Sequence, residues 1–170
     1  MTSAFSLDRR SAAKSSNALA GVDLSSWLSW AWYGLGFALA VKLNPSMVLD
    51  LTSGGVGMIV LGGAVAIFFV LVLAIQRHMR VSLQDTSFGD PKKLVDDGVF
   101  AMSRNPMYVA FLLPIASIGY YSLVAAAVAA VLYVLSMNNF VIAFEEQILD
   151  ATFGGRFHRY CQSTPRWLIW

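Results

Sequence analysis

Residues 105–144 read NPMYVAFLLPIASIGYYSLVAAAVAAVLYVLSMNNFVIAF, forty consecutive positions without one charged side chain. A helix needs about 20 apolar residues to cross the hydrocarbon core of a bilayer, so the stretch is long enough for two crossings. Its turn signal is Gly119-Tyr120-Tyr121-Ser122, which predicts helices over 106–118 and 122–144. The second spans comfortably. The first has 13 residues, or about 20 Å at the α-helical rise, which falls short of a full crossing. Its polar start is therefore expected below the headgroups, where irregular polar backbone is tolerated only if it lines a cavity.

Working outward, two further apolar runs precede this hairpin, at 24–43 and 51–76. Trp27, Trp30, Trp32 and Tyr33 sit near the start of the first run, as interfacial aromatics do, and Asn44-Pro45 ends it. Gly62 and Gly63 in the second offer close helix packing. Between the two pairs lies a polar segment, 77–104, with ten charged or histidine side chains. It is too polar for lipid and too long for a turn. Residues 1–23 are small and polar, with the composition of a disordered segment, and the tail from Glu145 onward is amphipathic. The first apolar run reaches membrane length, which marks a retained helix rather than a cleaved signal peptide.

The composition agrees. The chain is 57% hydrophobic and 13% charged over 170 residues, against about 25% charged in soluble domains. Lipid must be the solvent for much of it. The expected fold is one all-α polytopic membrane protein with about four transmembrane helices and an amphipathic helical tail. It divides into an N-terminal segment 1–23, two helices within 24–76 and a core over 77–170. Eleven of the twelve lysines and arginines fall in the N-terminal segment, the 77–104 segment or the tail, and only Lys42 does not. Four crossings put those three segments on one side, and the positive-inside rule makes that side cytoplasmic. The expected location is a bacterial inner membrane. A net charge of +2 with dispersed basic residues excludes a nucleic-acid patch.

Soluble active-site signatures are absent. Gly34-Leu35-Gly36 lacks the third glycine and the preceding strand of a dinucleotide loop, and there is no P-loop. Cys161 is the single cysteine and has no patterned base beside it, so it reads as inert. His78 and His158 are isolated, and no metal site is expected. Two clusters remain. In Arg104-Asn105-Pro106-Met107-Tyr108, Pro106 suits a first helical turn and Asn105 can cap it. The free N–H groups there and Arg104 favour an anion such as a carboxylate, although a capped helix with a snorkelling arginine fits the same residues. In Glu145-Glu146, adjacent acids at a helix C-terminus oppose the macrodipole and repel each other beside lipid. They call for a cationic ligand or for arginines such as Arg156 or Arg159. Asn138 and Asn139, seven residues earlier, share their faces on an α-helical count.

In order and spacing these clusters resemble a known superfamily. The residues are Gly98-Val99-Phe100, Ser103-Arg104-Asn105-Pro106-Met107-Tyr108, Glu145-Glu146-Gln147-Ile148-Leu149, Phe153-Gly154-Gly155-Arg156-Phe157-His158-Arg159-Tyr160 and Pro165-Arg166-Trp167. The pattern is similar to that of the isoprenylcysteine carboxyl methyltransferases and phospholipid N-methyltransferases, which are membrane-embedded and use S-adenosylmethionine. The resemblance covers about half the chain. It implies that Arg104, Pro106, Met107, Tyr108, Glu145, Glu146, Leu149, His158 and Tyr160 enclose the cofactor. It also implies that Arg104, Asn105, Tyr108 and Glu145 are the catalytic candidates and that a hydrophobic or lipid-like acceptor enters sideways from the bilayer; by their spacing from the glutamates, Asn138 and Asn139 are expected to line its path.

Two departures carry meaning. Asn105 stands where the family usually has histidine, and an amide does not titrate near neutral pH. Val141, Ile142, Ala143 and Phe144 precede the glutamate pair where many members have a basic residue, which argues against a prenylcysteine carboxylate as acceptor. An amine acceptor must lose a proton first, and Tyr108, Glu145, Glu146 and His158 are the candidates to take it. Two other classes fit the sequence less well. Sterol-reductase-like enzymes bind a nicotinamide cofactor whose phosphates want more basic residues than this tail offers. A transporter subunit or scaffold would usually carry internal repeats or charges within its helices, and none is visible here.

Overall fold

A computed structural model describes residues 27–82 and 93–168. Among the described residues every regular element is helical. The segment 1–23 and residues 83–92 of the polar loop lie outside them. Helix α1, Trp27–Leu43, stops at Asn44-Pro45, and the chain bends by 112° into α2, Ser46–Thr52. Proline has no N–H to continue the ladder. The amide of Asn44 donates to the Tyr121 carbonyl (3.2 Å), which pins the bend to the far hairpin turn.

The short α2 displaces the second apolar helix. It was expected over 51–76, and the long helix α3 instead occupies Val56–Ser82. Asp50 accounts for the late start. Its carboxylate accepts from the Gly57 N–H (3.0 Å) in the first turn of α3 and from the Tyr121 hydroxyl (2.5 Å). A side-chain oxygen on a first-turn N–H is the chemistry of an N-cap, supplied here from the preceding helix. A Cβ on Gly57 would stand 1.7 Å from the Tyr121 oxygen, so the approach needs glycine. At its other end α3 continues through Arg77 and His78 into what read as loop. A basic side chain at a helix end extends its charge toward water, so these residues do not stop the helix.

After a 3₁₀ turn at Gly98–Ala101 comes the short apolar helix, built as α4, Pro106–Ala110, then α5, Leu112–Ser117, and a 3₁₀ turn Ile118–Tyr120. Pro114 explains the break at Phe111: it lacks the N–H that would reach the Ala110 carbonyl, and its ring crowds that oxygen. Carbonyls on either side of the break also accept from side-chain donors, as backbone groups at membrane depth need partners. The Tyr133 hydroxyl reaches the Tyr108 carbonyl (3.1 Å) and the Tyr33 hydroxyl reaches the Phe111 carbonyl (2.7 Å).

Helix α6, Leu123–Ser136, starts where the turn was expected, with the Ser122 hydroxyl accepting from the Ala125 N–H (3.2 Å). It does not end at 144. It passes through a π-helical turn, Met137–Ile142, into α7, Ala143–Phe153. Gly154, at φ +48°, then turns the chain into α8, Gly155–Ser163. Glu145 and Glu146 therefore lie inside a continuous helical run. They are not at a helix C-terminus, and the macrodipole argument for their instability does not apply.

By length and composition two helices can cross a membrane, Val56–Met79 and Leu123–Phe153, and α1 with α2 makes a third if the bent pair is one span. Pro106–Tyr120 stays short, as its spacing suggested. The outer surface fits lipid. Ile59, Ile67, Phe69, Val70 and Leu73 of α3 and Leu123, Val124, Val131 and Leu135 of α6 are all exposed, and water would not tolerate so continuous an apolar face. Inside, Ala129, Tyr133, Met137 and Val141 form one buried stripe, packed against Ile115, Trp32, Phe111 and Trp167.

Candidate active site

At one end of the bundle the turn before α4, the middle of the α6–α7 run and the C-terminal segment converge. Arg104 is the pivot, with its side chain 13% exposed. Its backbone N–H donates to the Pro165 carbonyl (2.9 Å) and its Nη1 to the Cys161 carbonyl (3.2 Å). Its Nη2 lies 3.2 Å from Glu146 Oε1. Arg166 approaches the same carboxylate from the tail, with Nε 3.1 Å from Oε1 and Nη2 on Oε2. Glu146, 18% exposed, thus holds two guanidiniums. Among the described residues, Arg104 Nε is buried and has no partner.

Glu145 faces another way, because neighbours on a helix point about 100° apart. Its Oε1 accepts from the Tyr108 hydroxyl (2.8 Å). The two acids take different partners, Glu146 the guanidiniums and Glu145 the tyrosine hydroxyl. Their partners are not Arg156 and Arg159; Arg156 lies 3.6 Å from Asp96. The sequence reading missed Arg166 as a site residue, although the Pro165-Arg166-Trp167 motif was its signal.

Asn105 stands at the N-cap position of α4 but makes no capping bond. Its Nδ2 donates instead to the Arg166 carbonyl (3.0 Å). Pro106 occupies the first helical position. Met107 packs toward α3 near Phe68 and Ile75, and Leu149 packs beside Leu94, Phe157 and Tyr160. The Tyr160 hydroxyl donates to the Phe100 carbonyl (2.7 Å), and burial raises its pKa. Burial likewise raises that of the Cys161 thiol, against the opposing pull of Arg104. His158 is 67% exposed and pairs with Asp150 at 2.9 Å, so it stands on the outer side of α8 rather than against Glu146. Among the described residues no three histidine, cysteine, aspartate or glutamate side chains group as metal ligands.

The two asparagines part company. Asn138 Oδ1 accepts from the Trp167 indole N–H (3.0 Å), whereas Asn139 is exposed. The α-helical count that put them on the faces of the glutamates fails because the π turn holds more residues per turn and shifts the register. Such turns cluster at functional sites, and this one lies between the tail and the glutamates.

Beside the ionic cluster is a cavity of about 720 Å³, walled by Val109, Leu112, Val134 and Trp167 and bounded at its charged end by Arg104 and Arg166. Its volume is within the usual range for small-molecule sites. The arrangement can hold an amphipathic ligand, with ionic groups at the cluster and an apolar body in the cavity.

A bilayer-embedded helical bundle with paired charges at the mouth of an apolar cavity is the class of protein so defined. The phospholipid methyltransferase family model matches residues 51–156, more than half of the chain. The chain belongs to that family, and methyl transfer at a membrane is the activity that membership carries. The match includes Arg104, Tyr108 and both glutamates and ends before Arg166. Searches of curated proteins and of solved structures found no match.

Proposed function

We propose that the ionic cluster binds S-adenosylmethionine and that the adjoining cavity holds a hydrophobic, membrane-partitioning acceptor. The observation that carries this reading is the buried Arg104 guanidinium, shared with Glu146 and left with one N–H unsatisfied. A buried donor left unsatisfied calls for an explanation, of which an acceptor on a bound ligand is one, and the carboxylate of an amino-acid-bearing cofactor has the right charge. Glu146 is the counter-ion for its ammonium. Bound, S-adenosylmethionine supplies an electrophilic methyl on a sulfonium.

The chain's own residues supply binding, alignment and dryness. Arg104 and Arg166 take the anionic group, and Glu146 the cationic one. Val109, Leu112 and Val134 exclude water from the acceptor, which favours displacement between aligned groups. The Tyr108–Glu145 pair is the route for a proton leaving a protonated or neutral nucleophile, with Glu145 as the base. This supports an acceptor with a neutral or cationic nucleophile. The tail brings Arg166 to the charged end of the cavity, so a cation is present there despite the apolar residues before the glutamates. The preference for such an acceptor rests on Glu145 instead.

The test is thermal unfolding of the detergent-solubilised protein with S-adenosylhomocysteine, with NADPH and with neither. Stabilisation by S-adenosylhomocysteine alone is expected. Labelled methyl groups should then pass from the cofactor into the organic-extractable fraction of a membrane extract. Stabilisation by NADPH instead, or label recovered only in water-soluble products, would refute the reading.

A further inference from the structure

We infer that Asn105 is a positioning residue: it holds residues 164–167 as a strap across the ionic cluster and takes no part in the chemistry. The inference rests on the proposed function only for its probe ligand, S-adenosylhomocysteine. Asn105 is buried, at 9% exposure. Its amide N–H and the Ser103 hydroxyl converge on one acceptor, the Arg166 carbonyl, at 3.0 and 3.1 Å. A carbonyl oxygen has two lone pairs and accepts both. The Ser103 oxygen in turn accepts from the Asn105 backbone N–H (3.1 Å), and between them the Arg104 N–H holds the Pro165 carbonyl (2.9 Å). Three successive residues of one turn are therefore committed to two successive residues of the tail.

The strap acts at both of its ends. Beyond the anchor, Trp167 donates to Asn138 in the π turn, and its ring lies 6.5 Å from that of Tyr133 in an edge arrangement. At the anchor, the fixed Arg166 backbone lets the guanidinium lie on Glu146, and Arg166 and Trp167 both line the cavity. Without the anchor, the cavity loses one wall and Glu146 loses one of its two cations. The strap lies outside the residues that the family match covers.

The chemistry of position 105 gives the test its arms. Aspartate puts an oxygen lone pair against the Arg166 carbonyl, leucine removes the donor, and histidine restores an N–H on a short side chain. Ser103→Ala removes the second donor alone. Each full-length variant is assayed in detergent for tryptic cleavage after Arg166, for S-adenosylhomocysteine affinity by calorimetry, and for cofactor KM and kcat. In Asn105→Asp and Asn105→Leu, ligand affinity should fall about tenfold, the scale of one buried hydrogen bond. Cleavage should accelerate by a similar factor, and the rise in cofactor KM should exceed the fall in kcat. Asn105→His should lie close to the wild type in all readouts, and Ser103→Ala between. Unchanged cleavage in both the Asp and Leu variants overturns the inference. So does an Asn105→His protein that loses kcat as fully as Asn105→Leu with affinity intact, since that is the mark of a direct chemical role. If the wild type does not bind S-adenosylhomocysteine, the functional reading fails, and the cleavage rates alone still decide whether Asn105 holds the strap.

Discussion

Glu145 and Glu146 are neighbours in sequence with separate partners. Glu146 lies between Arg104 and Arg166, while Glu145 accepts from Tyr108. If Glu146 is the counter-ion of a cationic ligand and Glu145 a base, their amide variants should fail differently. Glu146→Gln should weaken S-adenosylhomocysteine binding by about 1.5–3 kcal/mol, the worth of a hydrogen bond to a charged group. Arg104→Ala should do the same. Glu145→Gln should leave that affinity nearly intact and lower turnover by about 10²-fold or more, as when a general base is lost. Calorimetry beside steady-state kinetics separates the two, and identical profiles would contradict the division of labour. The sequence revealed that these residues need compensation. It did not reveal by what, because Arg166 is twenty residues from Glu146 and only the return of the chain after Gly154 brings it back.

At the scale of the element, three devices shape the bundle: the Asp50 cap on α3, the break at Pro114 and the π turn at Met137–Ile142. The first gives a paired test. Gly57→Ala drives a methyl into the Tyr121 hydroxyl and the Asp50 carboxylate, whereas nothing lies within 4 Å of a Cβ at Gly62 or Gly63, so among the described residues the close packing expected at that pair is not found. Overpacking of this kind costs about 1–3 kcal/mol. Gly62→Ala should be neutral or stabilising, since alanine favours helix. Thermal unfolding in detergent should put Gly57→Ala several degrees below the wild type and Gly62→Ala at or above it. For the second device, Tyr133→Phe removes the hydroxyl that satisfies the Tyr108 carbonyl. The expected loss is about 0.6 kcal/mol, typical of a hydrogen bond between membrane helices. A Tyr133→Phe protein as stable as the wild type would show that the Tyr108 carbonyl does not depend on this hydroxyl.

For the whole molecule, the hydrogen bonds divide the bundle into two ends. One gathers Asn44, Asp50, Gly57 and Tyr121. The other gathers His78 with Asp97, and Arg104 with Glu146 and the tail. Among the described residues Lys42 is the basic residue beside the first end, and we propose from the positive-inside rule that the second end faces the cytoplasm. In a Cys161→Ala background, Ser53→Cys should react with an impermeant thiol reagent applied to intact cells, and Ser163→Cys should react only after lysis. The opposite pattern would invert the topology, and labelling of both from outside would exclude it.

The sequence alone determined the solvent and the class. Forty uncharged residues, the asymmetry of lysine and arginine and the order of the Arg104, Glu145 and Tyr160 motifs are properties of the chain read along its length. Periodicity and charge count capture them because lipid acts on every segment alike. Helix ends were less legible, since α3 starts late on a cap supplied by Asp50, and α6 runs on through a π turn into α7. The tertiary structure alone decided who pairs with whom: Arg166 on Glu146, Tyr108 on Glu145, Asn105 on the Arg166 carbonyl and Trp167 on Asn138. These contacts join positions 20 to 61 residues apart. Their geometry depends on the break at Phe111, the wider turn at Met137–Ile142 and the reversal at Gly154, where small local changes in backbone angle swing distant side chains through several ångströms.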